Sequence, residues 1–229
     1  MNIEGKRRMV VAAIPAYNEA ASIGNIVLVA AKYVDKVLVV DDGGDDATPE
    51  IAESLGAITV RHESNLGYGA ALRSCFRKAR EIEADVMIIL DGDGQHDANE
   101  IPILLKSITK NDVDIVIGSR FLGQEHDGMP QYRRLGIMLI NAVTNFMIKG
   151  SLSDAQSGFR AYSKKAIDRM IITEDGMGAS CEILMHAVKI GLKIEEVQTT
   201  CKYLNDGSTR NPILHGADVL RAIFKTAFS

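Results

Sequence analysis

The sequence predicts an α/β protein with a mostly parallel central sheet flanked by helices. Three observations carry that expectation. Short apolar runs alternate with amphipathic segments through about the first 120 residues, the rhythm of right-handed βαβ units. The runs are continuously apolar, as strands are when both faces of a sheet are covered. Polar clusters follow the ends of these runs, and open α/β sheets bind ligands at the carboxyl ends of their strands.

Met9 to Ile14 is valine-rich and forms the first expected strand, stopped by Pro15-Ala16-Tyr17-Asn18-Glu19. A helix is expected from about Ala20 to Tyr33. Lys36 to Val40 reads as the second strand and ends in Asp41-Asp42-Gly43-Gly44. Thr48-Pro49-Glu50 has the form of a helix start, with Thr as N-cap, Pro at the first helical position and an acid in the first turn. Ala57 to Arg61 is the third strand, and Asn65-Leu66-Gly67-Tyr68-Gly69 opens a helix to about Ile82. Val86 to Leu90 is the fourth strand, leading into Asp91-Gly92-Asp93-Gly94-Gln95-His96. Asp97-Ala98-Asn99-Glu100 has the letters of a capping box for a helix to about Ile108. Val113 to Ile117 is the fifth strand, ending in Gly118-Ser119-Arg120.

After Arg120 the alternation stops. Phe121 to Pro130 reads as a loop, and two arginines, Arg133 and Arg134, precede an uncharged stretch from Leu135 to Ile148. That stretch is too short to span a bilayer. It suits a helix at a membrane surface and equally a helix packed on the sheet. Asp154 to Arg160 brings a short strand or loop. Helices are expected over about Ser163–Ile171, Ser180–Ile190 and Ile213–Phe228, with a strand inside Leu192–Tyr203. The last helix puts Ile213, Ala217, Leu220, Phe224 and Phe228 on one face.

Composition narrows the class. With 229 residues and 46% hydrophobic content, the chain can bury one large core. A net charge of −4 gives no electrostatic footprint for nucleic acid. Cys75, Cys181 and Cys201 are an odd set without metal-ligand spacing, which suits reduced thiols in the cytoplasm. The N-terminus has no signal-peptide apolar region.

The chemistry centres on Asp91 and Asp93. At i and i+2 on extended chain, the two carboxylates point the same way. Such a pair repels unless a positive charge lies between its members. A Mg²⁺ or Mn²⁺ carrying a diphosphate meets that need, because hard cations take oxygens from one or two carboxylates and from phosphate. A solvated Asp-Gly turn would show the same letters. Tyr17 offers a ring for a planar base, and Glu19 could accept from base N–H groups. Asp41 and Asp42 could take ribose hydroxyls or base N–H groups, or be a solvated turn. Asn65 to Gly69 has the form of a helix N-terminus near phosphate, or of an ordinary cap. Arg120, Arg134 and Arg160 suit phosphate, and surface ion pairs as well. His96 stands beside the acidic pair, as a ligand or as a packed ring. No complete G-x-G-x-x-G fingerprint or P-loop is present, against a dehydrogenase or an ATPase.

Taken in order, Pro-Ala-Tyr-Asn-Glu, Val-Val-Asp-Asp-Gly, Asn-x-Gly-x-Gly, Asp-Gly-Asp-Gly-Gln-His, Gly-Ser-Arg and Asp-x-x-Ser-Gly-Phe-Arg resemble the family 2 glycosyltransferases. The dolichyl-phosphate mannosyl- and glucosyltransferase branch is the most similar, over nearly the whole chain. The resemblance implies a GT-A fold in one catalytic domain, 1–229. A Rossmann-like nucleotide-sugar half would span about 1–120 and an acceptor half, with amphipathic helices, about 121–229. By matching position, Pro15, Tyr17, Glu19 and Asp42 would hold base and ribose with Asp41 in support, and Asn18, Asn65, Gly67, Asp91, Gly92 and Asp93 complete the donor set. Asp91, Asp93 and Gln95 would hold the metal. Arg120 and Arg134 would grip the acceptor phosphate, and Ser157 and Arg160 would shape the acceptor pocket. Asp93, Arg120 and Arg134 would carry catalysis.

The implied reaction moves a hexose, mannose from GDP-mannose before glucose from UDP-glucose, to a polyprenyl (dolichyl) phosphate with inversion. It would use Mg²⁺ or Mn²⁺ at the cytoplasmic face of a membrane, the amphipathic helices lying on that surface. Two other readings stand beside it: transfer to a sugar or protein hydroxyl, and a non-catalytic nucleotide-sugar-binding subunit. Two departures from the family pattern fall at Gly43-Gly44, usually Ser-Thr or Ser-Pro, and at Asn205 to Arg210, usually a basic loop.

Overall fold

The computed structural model describes residues 2–3, 6–110, 112–123 and 131–202. A two-stranded hairpin, β1 (Asn2–Ile3) with β2 (Lys6–Arg7), precedes the main sheet. Seven strands build that sheet: β3 (Val10–Ala16), β4 (Lys36–Asp41), β5 (Ile58–Arg61), β6 (Val86–Ile89), β7 (Ile115–Ser119), β8 (Arg160–Ser163) and β9 (Ile194–Gln198). Their spatial order is β5-β4-β3-β6-β8-β7-β9. Every neighbouring pair is parallel except those of β8, which is antiparallel to both β6 and β7. The carboxyl ends of six strands therefore share one edge with the amino end of β8.

The helices are α1 (Ile23–Ala30), α2 (Thr48–Ser54), α3 (Tyr68–Glu81), α4 (Ile101–Lys110), α5 (Gln131–Ile148), α6 (Lys164–Arg169) and α7 (Ala179–Lys189). Alternation along the strands divides the core in two. Val11, Ala13, Leu38, Val40, Met87 and Ile89 face α3, α6 and α7. Ala12, Ile14, Val37, Val39, Ile88 and Leu90 face α1, α2 and α4. That double coverage is why these strands read as unbroken apolar runs.

Several expected boundaries move. A turn over residues 20–22 delays α1 to Ile23, with the Ser22 and Ile23 amides both donating to the Glu19 carbonyl. Thr48 is not a cap: it starts α2, gives its N–H to Asp46 Oδ1 at 2.9 Å, and accepts the Glu19 N–H at 2.8 Å. The capping box at Asp97 is half-formed. Asp97 accepts the Asn99 N–H at 2.9 Å, while Glu100 turns to the Thr200 N–H at 2.9 Å. The fifth expected strand, β7, begins two residues later and runs through Ser119.

The packing expected of the uncharged stretch is seen on one face of α5, against α7. One face of α5 carries Ile137, Ile140, Asn141, Thr144 and Ile148, all buried, and packs near Cys181 of α7. The other exposes Leu135, Met138, Leu139 and Phe146, the last 82% exposed. Among the described residues, no helix is long and apolar enough to cross a membrane. The expected loop at Asp206–Arg210, the helix over Ile213–Phe228 and most of the Phe121–Pro130 loop lie outside the described residues.

Candidate active site

The shared edge gathers the ends of β3, β4, β6 and β7, and reversed β8 brings the segment from Asp154 to Arg160 to the same place. At its centre stands Asp91. Its side chain is 29% exposed, and Tyr68 Oη donates to Oδ1 at 3.1 Å. Burial lifts the Asp91 carboxyl above its usual range, against the Tyr68 hydrogen bond and the Arg120 and Arg160 charges. Gly158 abuts it so closely that a Cβ there would lie 2.2 Å from Asp91 Oδ2. The Asp93 carboxylate accepts the Gln95 N–H at 2.9 Å, folding the turn. Gly94 takes φ +74°, a left-handed conformation open to glycine, which bends the chain back after Asp93.

Three contacts lash this turn down. Gly92 N–H donates to the Pro15 carbonyl at 3.2 Å, Ser22 Oγ donates to the Gly92 carbonyl at 2.6 Å, and Lys202 N–H donates to the Gln95 carbonyl at 2.8 Å. His96 is buried, its ring tilted 5.3 Å from Phe159 and its Nε2 3.9 Å from Asp91 Oδ2. Burial, with the Arg120 charge, pushes its pKa down to about 4, so the imidazole is neutral at ordinary pH. Among the described residues its Nδ1 has no hydrogen-bond partner.

The acidic pair fits a divalent cation. Asp91 and Asp93 offer hard oxygen ligands from one turn, and burial of Asp91 makes a bare negative charge costly there. Among the described residues, no three or more His, Cys, Asp or Glu side chains form a closed cage. An open two-carboxylate site is what a Mg²⁺ or Mn²⁺ shared with phosphate takes. Gln95, expected as a further ligand, is buried with its Oε1 4.0 Å from Cys201 Sγ.

The remaining expected residues divide. Tyr17 is 48% exposed at the end of β3, open for stacking. Asn18 takes φ +58° and accepts the Asp45 N–H at 2.9 Å, a turn-holding role. Glu19 lies against Gly92 and the acidic pair. Burial raises its pKa first, with Asp93, Asp46 and Asp91 adding to it and a Ser22 hydrogen bond opposing. Asp41 is fully buried, 3.3 Å from Arg61 Nε, and burial likewise raises its carboxyl.

Asp42 is a clip inside the protein and not a cleft-facing ribose ligand. It accepts from Leu66 N–H at 3.0 Å and Gly67 N–H at 2.8 Å and pairs with His62 Nδ1 at 2.6 Å. The phosphate reading of Asn65 to Gly69 is corrected too. Asn65 is exposed, and the Gly69 and Ala70 amides at the start of α3 donate to the Asp175 carbonyl at 2.7 and 3.3 Å, where an anion would sit. Gly67, at φ +101°, admits that loop, since a Cβ would lie 2.4 Å from the Asp175 oxygen.

Of the expected phosphate arginines, Arg120 reaches the cleft and bonds Asp154 twice, Nε to Oδ2 at 2.6 Å and Nη2 to Oδ1 at 2.8 Å. Arg134 lies in the first turn of α5, its side chain outside the described residues. Arg160 is corrected. It is 2% exposed and donates to the carbonyls of Ser157, Ser180 and Ala155. It is a buried strut under Asp91, not an acceptor ligand. Ser157 also faces inward, donating to the Gly118 carbonyl at 2.6 Å. Sequence reasoning missed Tyr68, which occupies a free position of Asn-x-Gly-x-Gly, and Asp154, the unassigned first letter of its motif.

Fold and cleft together define a GT-A glycosyltransferase. Glucosyl-3-phosphoglycerate synthase from Mycobacterium tuberculosis, crystallised with Mn²⁺, UDP-glucose and phosphoglyceric acid, shares the fold. Its TM-score is 0.76 at 20% identity, over 96% of this chain and 80% of that one. The chain belongs to glycosyl transferase family 2, whose domain matches residues 11–171. It is 33% identical to glycosyltransferase AglJ of Haloferax volcanii, over 93% of this chain and 70% of that protein. A UDP-N-acetylglucosamine–dolichyl-phosphate N-acetylglucosaminyltransferase of Methanococcus voltae is 33% identical, over 67% and 69%. An undecaprenyl-phosphate mannosyltransferase of Micrococcus luteus is 31% identical, over 82% and 81%.

Proposed function

We propose that this glycosyltransferase moves a hexose from a nucleotide-diphosphate sugar to a polyprenyl (dolichyl) phosphate, with inversion, assisted by Mg²⁺ or Mn²⁺. The observation that carries this reading is the meeting of an acidic turn and a fixed guanidinium in one cleft. Arg120, bonded to buried Asp154, bears electrostatically on Asp91 and His96. A donor diphosphate and an acceptor phosphate need such opposite anchors side by side.

Asp91 and Asp93 would hold the cation, which when bound stabilises negative charge on the departing diphosphate. Tyr68 steadies Asp91, and the Gln95 amide steadies Asp93. Tyr17 offers its exposed ring to the base. Arg120, joined by Arg134, would turn the acceptor phosphate toward the anomeric carbon. That phosphate is already anionic at neutral pH, so the reaction needs no strong general base. A hydroxyl acceptor would need one.

Two relatives are named for transferring different sugars to the same class of lipid phosphate. They support the acceptor class over any one donor. GDP-mannose stays the first donor to test, then UDP-glucose, with UDP-N-acetylglucosamine added. The exposed stripe of α5 suits a lipid surface, and reaction at the cytoplasmic face of a membrane completes the reading. Thermal shifts with each donor, with Mn²⁺, Mg²⁺ or EDTA, test the donor side. A ligand at 100 times its dissociation constant stabilises by roughly 2.7 kcal/mol. A metal-dependent shift with one donor is expected, and no shift with any would refute the donor reading.

A further inference from the structure

The segment joining α5 to β8 has no regular structure, yet side chains hold the backbone of residues 152–155. Four successive amides have side-chain acceptors. Leu152 N–H donates to Asn145 Oδ1 at 2.7 Å, Ser153 N–H to Glu196 Oε2 at 2.8 Å, Asp154 N–H to Glu196 Oε1 at 2.9 Å, and Ala155 N–H to Asn141 Oδ1 at 2.9 Å. The carbonyls are held as well. Asn145 Nδ2 donates to Leu152 O at 2.7 Å and Asn141 Nδ2 to Ser153 O at 2.6 Å.

Asn141 and Asn145 are one helical turn apart on α5, so both amides meet the same segment. Glu196 comes from the edge strand β9, on the other side. Residues 152–155 cannot drift without breaking several hydrogen bonds at once.

At its middle stands Asp154, fully buried, with Arg120 as its ionic partner. Asp154 Oδ2 also accepts the Arg120 N–H at 3.1 Å, so one carboxylate fixes backbone and guanidinium together. The bonds engage the Nε and Nη2 side of the fork. We infer that Asn141, Asn145 and Glu196 form a clamp that positions Arg120, through Asp154, for the acceptor phosphate.

The inference rests on the proposed role of Arg120 and adds the residues that act through it. These are positioning residues. A fixed fork binds phosphate at low entropic cost, because its planar geometry is set before the ligand arrives. The clamp also ties the acceptor anchor to α5, whose opposite face exposes the apolar stripe.

The test is calorimetric titration of the protein with a short-chain polyprenyl phosphate in nonionic detergent micelles, without donor. Asp154→Asn keeps the shape and removes the charge. It should weaken binding roughly tenfold, the size of one charge-assisted hydrogen bond. Donor thermal shifts with Mn²⁺ should stay as in the wild type. The double variant Arg120→Ala/Asp154→Asn should bind no more weakly than Arg120→Ala, since Asp154 acts through Arg120.

Glu196→Gln leaves the ion pair intact and disturbs only the loop. It should weaken lipid phosphate binding with donor shifts unchanged, and it decides the matter if Asp154→Asn does not fold. Wild-type affinity in Asp154→Asn, additive losses in the double variant, or wild-type affinity in Glu196→Gln overturns the clamp alone. A wild-type protein that binds no polyprenyl phosphate overturns the acceptor reading, and the clamp with it.

Discussion

Gly158→Ala is the sharpest perturbation of the acidic turn. The new methyl carbon would lie 2.2 Å from Asp91 Oδ2 and 2.7 Å from both Cγ and Oδ1. To reach ordinary van der Waals separation, the carboxylate must retreat by about 1 Å. Room for that retreat exists on the cleft side, where the Asp91 side chain is 29% exposed. The move pulls Oδ1 off Tyr68 Oη and out of step with Asp93. Stability should therefore fall modestly, by about 1–2 kcal/mol, within the usual range for overpacking. Activity should fall much further, by about 100-fold, the scale of a 1 Å misplacement at a reacting centre. Transfer rate and urea midpoint, measured on the same preparation, check both. Gly136→Ala is the control, because none of the described residues lies within 4 Å of a Cβ there. It should keep activity and gain up to about 1 kcal/mol from helix propensity in α5. Wild-type transfer by folded Gly158→Ala would refute the placement of Asp91 at the reacting centre.

Tyr68→Phe removes only the hydroxyl bonded to Asp91. Mn²⁺ affinity, followed by electron paramagnetic resonance with the nucleotide diphosphate present, should weaken about tenfold, as it does when outer-shell bonds to metal ligands are lost. Asp42→Ala unclips β4 from α3 and strands the Leu66 and Gly67 amides, costing about 1–3 kcal/mol by urea unfolding. His96 carries a pH dependence. Its folded pKa of about 4 lies below the usual 6.5, so the unfolded chain binds more protons between those values. Its contribution is complete above pH 6.5 and is lost as pH falls toward 4. Glu19 and Asp41, raised by burial, push the other way. Comparison with His96→Asn isolates the histidine, and the wild type should lose more stability than the variant between pH 7 and pH 4.

The sheet was legible because burial on both faces leaves unbroken apolar runs, as in β3, β4 and β6. Strand β8 was not. Its four residues, Arg160-Ala161-Tyr162-Ser163, are too few and too mixed to carry a periodic signal. Yet its reversal brings Asp154 to the cleft. The acidic turn was legible as a strand-end turn because the apolar run of β6 stops at Asp91-Gly92-Asp93. The glycines near Asn65 were misread because admitting a distant backbone needs the same residue as admitting a phosphate. Only the fold shows the Glu174–Asp175 loop in that space. Arginine letters were equally silent. Arg120 meets a carboxylate at the cleft, and Arg160 disappears onto three carbonyls.

The central claim is transfer to a lipid phosphate from the Asp91–Asp93 turn. Mass spectrometry of polyprenyl phosphate incubated with the protein, Mn²⁺ and each of GDP-mannose, UDP-glucose and UDP-N-acetylglucosamine tests it most directly. The account predicts a hexosyl polyprenyl phosphate from one donor, absent with EDTA and with Asp93→Ala. Sugar appearing only on a hydroxyl acceptor, or a lipid product undiminished in folded Asp93→Ala, would contradict it.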